Sequence, residues 1–237
     1  MIDGFVIESA RSLTVLAADT RLADAVLAVH ILAGVVALLA GLAAIATTKG
    51  GAKHNTAGSG YVLSMAVVVV TAVPLSVWIE NWFLLAVAVF SGYLVFSGAR
   101  IVSRRRSGLT APAPRDYLLH GTMLGAGAVM LAVGGWGSAV GDPGLAPVLA
   151  VFGTIGLALA VRELAGFRTA PAERTPWFER HIAYMGGGYI ATVTATVTVN
   201  LTMVPPLVRW LGPTAVGVPL IFYGIRRYQP VFGRSPA

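Results

Sequence analysis

Four histidines, His30, His54, His120 and His181, are the side chains whose type and placement could do chemistry in this chain. A neutral imidazole presents one lone pair and one N–H, so it can ligate a haem iron or a metal ion, or pass on a proton. No cysteine accompanies them, which removes disulfides, thiolate metal sites, iron–sulfur ligation and covalent c-type haem attachment. A bound metal must therefore use His, Met or oxygen. The ten carboxylates fall at the ends of apolar runs or between them, so none marks a proton or cation relay in mid-membrane. Phosphate-loop, HExxH, GxSxG and calcium-loop patterns are missing, and no catalytic constellation stands out.

The elements that must hold these histidines follow from composition. The 237 residues are 56% hydrophobic and 11% charged, with a mean hydropathy of +0.77, whereas soluble domains carry about 25% charged residues. Apolar runs at about 23–48, 61–78, 82–101, 117–140, 146–162, 181–204 and 207–225 are each long enough to cross a bilayer. The expected fold is all-α: a polytopic transmembrane bundle of seven spans over residues 23–225, with the last span interrupted by Arg209 and Pro213. Residues 1–22 mix charged and apolar side chains and read as an extramembrane, amphipathic helix. They lack the basic start and small-residue cleavage site of a signal peptide, so they are expected to be retained. Residues 226–237 form a tail.

Charge gives the orientation. Fourteen Lys and Arg fall in the connections near 48–60, 100–116 and 162–180 and in the tail, against three in the alternate regions. The positive-inside rule then places the N-terminus outside and the C-terminus inside. The net charge of +7 is thus accounted for by topology, which argues against nucleic acid as a partner. A chain rich in Ala, Gly, Val and Arg with two lysines points to a GC-rich bacterial source and the cytoplasmic membrane, with the lipid bilayer as partner. Protein partners, a homo-oligomer among them, are left open.

In this frame His54, His120 and His181 lie at one membrane depth, at the cytoplasmic starts of spans two, four and six. His30 lies about 10 Å below the outer end of span one. At 100° per residue His30 shares a face with Gly34 and Gly41, and His120 with Gly127, Gly134 and Ser138. Small residues let helices approach, so these faces point at protein. On span six, His181, Gly188, Thr192, Thr196 and Asn200 form a polar stripe about 100° wide. Such a stripe needs protein partners, water or a ligand. The stretch Lys49-Gly-Gly-Ala-Lys-His-Asn-Thr-Ala-Gly-Ser-Gly60 reads as a flexible, topology-determining turn carrying His54 as a candidate ligand.

The pattern His30-Ile-x-x-Gly34, Lys49-Gly-Gly-x-x-His54-x-x-x-Gly58-x-x-Tyr61-x-x-x-Met65 and His181-Ile-x-x-Met185-x-x-x-Tyr189-Ile-Ala-Thr-x-Thr-Ala195, followed by Val199-Asn200, Pro205 and Trp210-x-x-Pro213-Thr214, runs through most of the chain. It resembles the bacterial predicted integral membrane proteins grouped as domain of unknown function 2306. The resemblance implies a multi-span fold and a role for His30, His54 and His181, and carries no established activity with it. Members of that family often have a basic residue after the second histidine, where this chain has Asn55.

Three functional readings follow. The leading one is a histidine-based site for b-type haem or a metal ion near the cytoplasmic side. His30, His54, His120 and His181 are its candidate ligands, His54, His120 and His181 the candidates for a metal, and His120 with His181 the expected pair. His30 has no histidine at its own depth, which argues against a two-haem cytochrome. The first alternative is a small-solute transporter or channel, its polar path lined by Thr192, Thr196 and Asn200 and Gly186-Gly-Gly188 allowing a break in the helix. The second is a non-catalytic scaffold or assembly factor with structural histidines.

Overall fold

A computed structural model describes residues 2–141, 144–169 and 175–232, with side chains from residue 20 onward. Among these residues there are seven helices and no strand: α1 Ile2–Ala46, α2 Ala52–Trp78, α3 Trp82–Arg106, α4 Pro114–Ala139, α5 Ala146–Gly166, α6 Trp177–Asn200 and α7 Pro206–Phe232. Every one contains a stretch long and apolar enough to cross a bilayer, that of α1 being Thr20–Ala46. The chain is a multi-pass integral membrane protein built as a seven-helix bundle.

Several boundaries differ from those expected. α2 begins at Ala52, not near 61, because Gly50 takes a left-handed φ of +78° that turns the chain at once. His54 therefore sits in the first turn of a helix. α1 begins at Ile2 and continues without a break into the first span, so residues 2–22 are helical; the amphipathic character expected of them rests on side chains that lie, up to residue 19, outside the described ones. α7 is continuous through Arg209 and Pro213 and takes in the tail as far as Phe232; residues 233–237 lie outside the described ones. Arg209 is accommodated because its Nη1 donates to the Thr198 carbonyl at 2.6 Å. That carbonyl belongs to the last turn of α6, where the helix itself supplies no donor.

α3 and α6 stand at the centre. α3 packs against α2, α4, α5 and α6, while α6 packs against α1, α3 and α7. α4 and α5 form a closely packed pair through glycines: a Cβ on Gly134 would lie 2.4 Å from the Ala150 nitrogen, and one on Gly153 2.6 Å from the Leu131 nitrogen. In lipid, where apolar burial drives helix association little, such close approach supplies the van der Waals contact that does. The stacked rings of Phe90 and Phe152, 5.1 Å apart, join α3 to α5.

α6 runs unbroken through Gly186, Gly187 and Gly188, the glycines that would allow a break under the transporter reading. The three glycines admit neighbours instead: Ile221 at Gly186, Leu94 at Gly187, and Val95 with the Tyr61 hydroxyl at Gly188. Three helices can thus press against one turn of α6 without distorting it.

Candidate functional site

The end of the bundle where α1, α3 and α7 finish and α2, α4 and α6 begin carries most of the basic residues. A cavity of about 1320 Å³ opens there, lined by residues of α1, α2, α3, α6 and α7. His54 and His181 both line it, together with Lys49, Arg105 and Arg106. Trp177, Phe178, Tyr228 and Phe232 give it an aromatic wall, while Val62, Ala66, Ile182 and Met185 lie along its apolar part.

The end of α1 explains why a histidine stands at position 54. The last carbonyls of a helix have no intrahelical partner. His54 Nδ1 meets the Ala44 oxygen at 2.9 Å, and the Lys49 ammonium donates to the same oxygen at 2.9 Å as well as to Ile45. A carbonyl only accepts, so His54 carries a proton on Nδ1, and Nε2 is the ring nitrogen not engaged in this bond. Burial lowers the pKa of Lys49 from the ordinary lysine value. An acid group in the cavity would act in the opposite direction.

His181 is held the same way from the facing helix. Its Nδ1 donates to the Gly98 carbonyl of α3 at 3.1 Å, and Nε2 is again the ring nitrogen not engaged in the bond. Gly98 is needed for this approach, because a Cβ there would lie 2.6 Å from the Met185 sulfur and 3.2 Å from the Met185 nitrogen. Two imidazoles from α2 and α6 therefore share one cavity, each oriented by a main-chain acceptor. Histidines that ligate metals are characteristically oriented by a hydrogen bond from the other ring nitrogen to a carbonyl or carboxylate.

The cations at the rim are placed by contacts of their own. The Arg105 guanidinium lies 4.5 Å from the Trp177 ring centre. Arg106 Nη2 donates to Asn55 Oδ1 at 3.1 Å, and Lys49 lies 6.0 Å from the Tyr228 ring centre. Asn55 thus brings a cation of α3 to this edge. Tyr61 and Tyr189 lie deeper, with their rings edge to face at 6.1 Å.

His120 lies elsewhere. It is 5% exposed and belongs to a buried chain of polar groups: its Nδ1 is 3.1 Å from the Tyr93 hydroxyl, which is 3.1 Å from the Tyr184 hydroxyl, and Tyr184 donates to the Leu159 carbonyl at 3.4 Å. Each phenol has one proton, so the direction of the chain follows. Tyr184 donates to Leu159, Tyr93 donates to Tyr184, and His120 Nδ1–H donates to Tyr93. The expected pairing of His120 with His181 is thus not assembled. Their partners on α3, Tyr93 and Gly98, are five residues apart and about 140° apart around the helix.

Two ion pairs flank that chain, and the sequence gives no hint of either. Asp116 receives Arg100 Nε at 2.6 Å and the Ala113 amide at 2.8 Å, with Arg104 at 3.6 Å. Glu163 receives Arg180 through both guanidinium arms. Both carboxylates were recognisable only as span-end residues, because their partners come from other helices. His30, the fourth histidine, donates from Nδ1 to Thr71 at 2.9 Å and ties α1 to α2, since Thr71 spends its own proton on the Val67 carbonyl. Among the described residues no cluster of three or more His, Cys, Asp or Glu could hold a metal ion, so His54, His120 and His181 do not form one.

The residues of the expected polar path bond within their own helix. Thr192, Thr196 and Asn200 donate to the carbonyls of Gly188, Thr192 and Thr196 respectively. Thr192 also accepts from the Tyr61 hydroxyl at 3.1 Å. None of the three lines the basic-end cavity. No family model, curated protein or solved structure matches the chain.

Proposed function

We propose that the basic-end cavity is the site of a b-type haem, which His54 and His181 would hold. The observation that carries this reading is the shared arrangement of the two histidines: one cavity, two helices, two Nδ1 protons given to main-chain carbonyls, two Nε2 atoms outside those bonds. The donor set fits an iron porphyrin better than a bare ion. Two imidazoles would be enough protein ligands for a haem, whereas a structural zinc wants four protein ligands and a catalytic one three. The cavity exceeds the roughly 300–1,000 Å³ typical of small-molecule sites, which is far more room than an ion needs.

The remaining lining has the matching polarity. Lys49, Arg105 and Arg106 at the rim suit the acid side chains of the macrocycle, and the aromatic and aliphatic wall suits its ring. Bound haem would supply one-electron transfer, which makes the protein a membrane redox or electron-carrying component. The cluster of basic connections supports an orientation with this end in the cytoplasm of a bacterial cell. Kinship with the domain-of-unknown-function 2306 proteins is part of the same proposal, resting on the residues around His54 and His181. Ligand analysis of protein purified after haem-replete expression tests the reading. About one haem per chain is expected, and neither haem nor uptake of added hemin would contradict it.

A further inference from the structure

We infer that the cavity receives its ligand from the bilayer, through a window between α1 and α7. The chemical identity of that ligand rests on the haem reading; the window does not. Both helices line the cavity, through Gly41, Ala44 and Ile45 on one side and Tyr228 and Phe232 on the other. Yet among the described residues no Cα of α1 comes within 8 Å of one of α7. The two helices stand apart across the mouth of a space they both enclose.

The opening has a frame. Below it, α1 closes on α6 so tightly that a Cβ on Gly41 would lie 2.4 Å from the Tyr189 ring. Above it, Lys49 reaches over the Tyr228 ring at 6.0 Å and a Cβ on Gly50 would meet Phe232 at 4.0 Å. From Gly41 to Ala46, the last residue of α1, is a rise of about 7.5 Å at about 1.5 Å per residue. That height lies inside the membrane-crossing part of α1, which ends at Ala46, so the window faces lipid. Ile45 stands on its edge with 53% of its surface exposed, and Ile182, Met185 and Gly186 of α6 line the space behind it.

The other flank is tied at two levels. Between α2 and α3, Val69 packs where a Cβ of Gly92 would be, at 3.2 Å, and Arg106 bonds Asn55 near the rim. Polar groups are gathered above the α1–α7 window and apolar ones behind it. The opening therefore suits an amphiphile that moves in the plane of the membrane with its acid groups at the headgroup level and its ring among the acyl chains. A dicarboxylate porphyrin dissolved in lipid has this character.

The absence of cysteine makes the window directly testable. The first variant is Met185→Cys in proteoliposomes, treated with a lipid-dissolved alkyl maleimide and compared with Val95→Cys, a position with no exposure. Modification at position 185 at least tenfold faster is expected; equal rates would overturn the window, whatever the ligand is. The second is Ile45→Cys with Gly224→Cys, where a Cβ at 224 meets only Ile182 at 3.7 Å. A disulfide needs Cα atoms about 4.4–6.8 Å apart, so a bis-maleimide spacer must bridge them.

Bridging should slow uptake of hemin from preloaded vesicles tenfold or more, while a bridge between Val73→Cys and Val89→Cys across α2 and α3, neither of which lines the cavity, leaves it unchanged. Uptake slowed only by the second bridge, or by neither, would overturn lateral admission at α1–α7. If no variant takes up hemin while position 185 still reacts from the lipid, the haem reading falls and the window stands.

Discussion

His54 and His181 each donate Nδ1–H to a backbone carbonyl of a neighbouring helix, Ala44 at 2.9 Å and Gly98 at 3.1 Å, and both line the same cavity. The two bonds place a proton on each Nδ1 and limit ring rotation, so the two Nε2 atoms are set before any ligand arrives. Replacing either histidine by Ala should abolish haem retention, whereas His120→Ala should leave the haem content near that of the parent. The check is the haem-to-protein ratio of membrane-inserted, purified variants.

Gly98 should behave as a positioning residue. It touches no ligand, but a larger side chain there would push Met185 and, with it, the turn of α6 that carries His181. Gly98→Val should lower haem occupancy severalfold and shift the band positions of the fraction that remains. Gly125→Val on α4, where a Cβ meets nothing within 4 Å, should change neither. Equal occupancy in both variants would show that the approach of α6 to α3 does not set the site.

The His120–Tyr93–Tyr184 chain should act on stability rather than on ligand retention. Tyr93→Phe removes the hydroxyl that bonds both neighbours and leaves the buried His120 Nδ1–H without its acceptor, while Tyr184 keeps its bond to Leu159, at a cost of about 1–3 kcal/mol. A lower thermal midpoint in detergent with an unchanged haem ratio is expected. Loss of haem without loss of stability would move His120 into the site.

Breaking the Glu163–Arg180 pair should destabilise the bundle more strongly. Glu163 is 4% exposed, and neutralising it by Glu163→Gln strands the Arg180 guanidinium, a change that costs about 3 kcal/mol at buried pairs. The double variant Glu163→Leu, Arg180→Met should recover most of the loss. A double variant as unstable as the single one would mean that the loss does not come from the stranded charge.

How much of this could be read beforehand depended on whether partners were near in sequence. Span number and class were legible because each apolar run is long and the composition extreme. The small faces of His120, Gly127 and Gly134 were legible because 100° periodicity needs only one helix, and they do lie buried against α3 or α5. The choice of His54 over His120 as neighbour of His181 was not, because it turns on which side of α3 each helix takes. Likewise the carboxylates of Asp116 and Glu163 looked like solvated span ends, whereas arginines of α3 and α6 cover them. His54 looked like a loop residue because nothing in its polar stretch shows that a glycine turn at position 50 lets α2 begin so early.

Thiol labelling separates the haem site from a solute path along α6. Cysteines at Thr192 and Thr196 should resist water-soluble reagents from both sides, since Thr192 is buried and the threonine hydroxyls bond their own helix. Modification of both positions would instead support a hydrated path.

The most direct test of haem ligation by His54 and His181 is the spin state of the iron in the parent protein compared with the His54→Ala and His120→Ala variants, read by electron paramagnetic resonance of the oxidised samples. Joint ligation predicts a low-spin, six-coordinate signal in the parent and in His120→Ala, and a high-spin signal or no iron in His54→Ala. A low-spin signal that survives in His54→Ala and disappears in His120→Ala would contradict it.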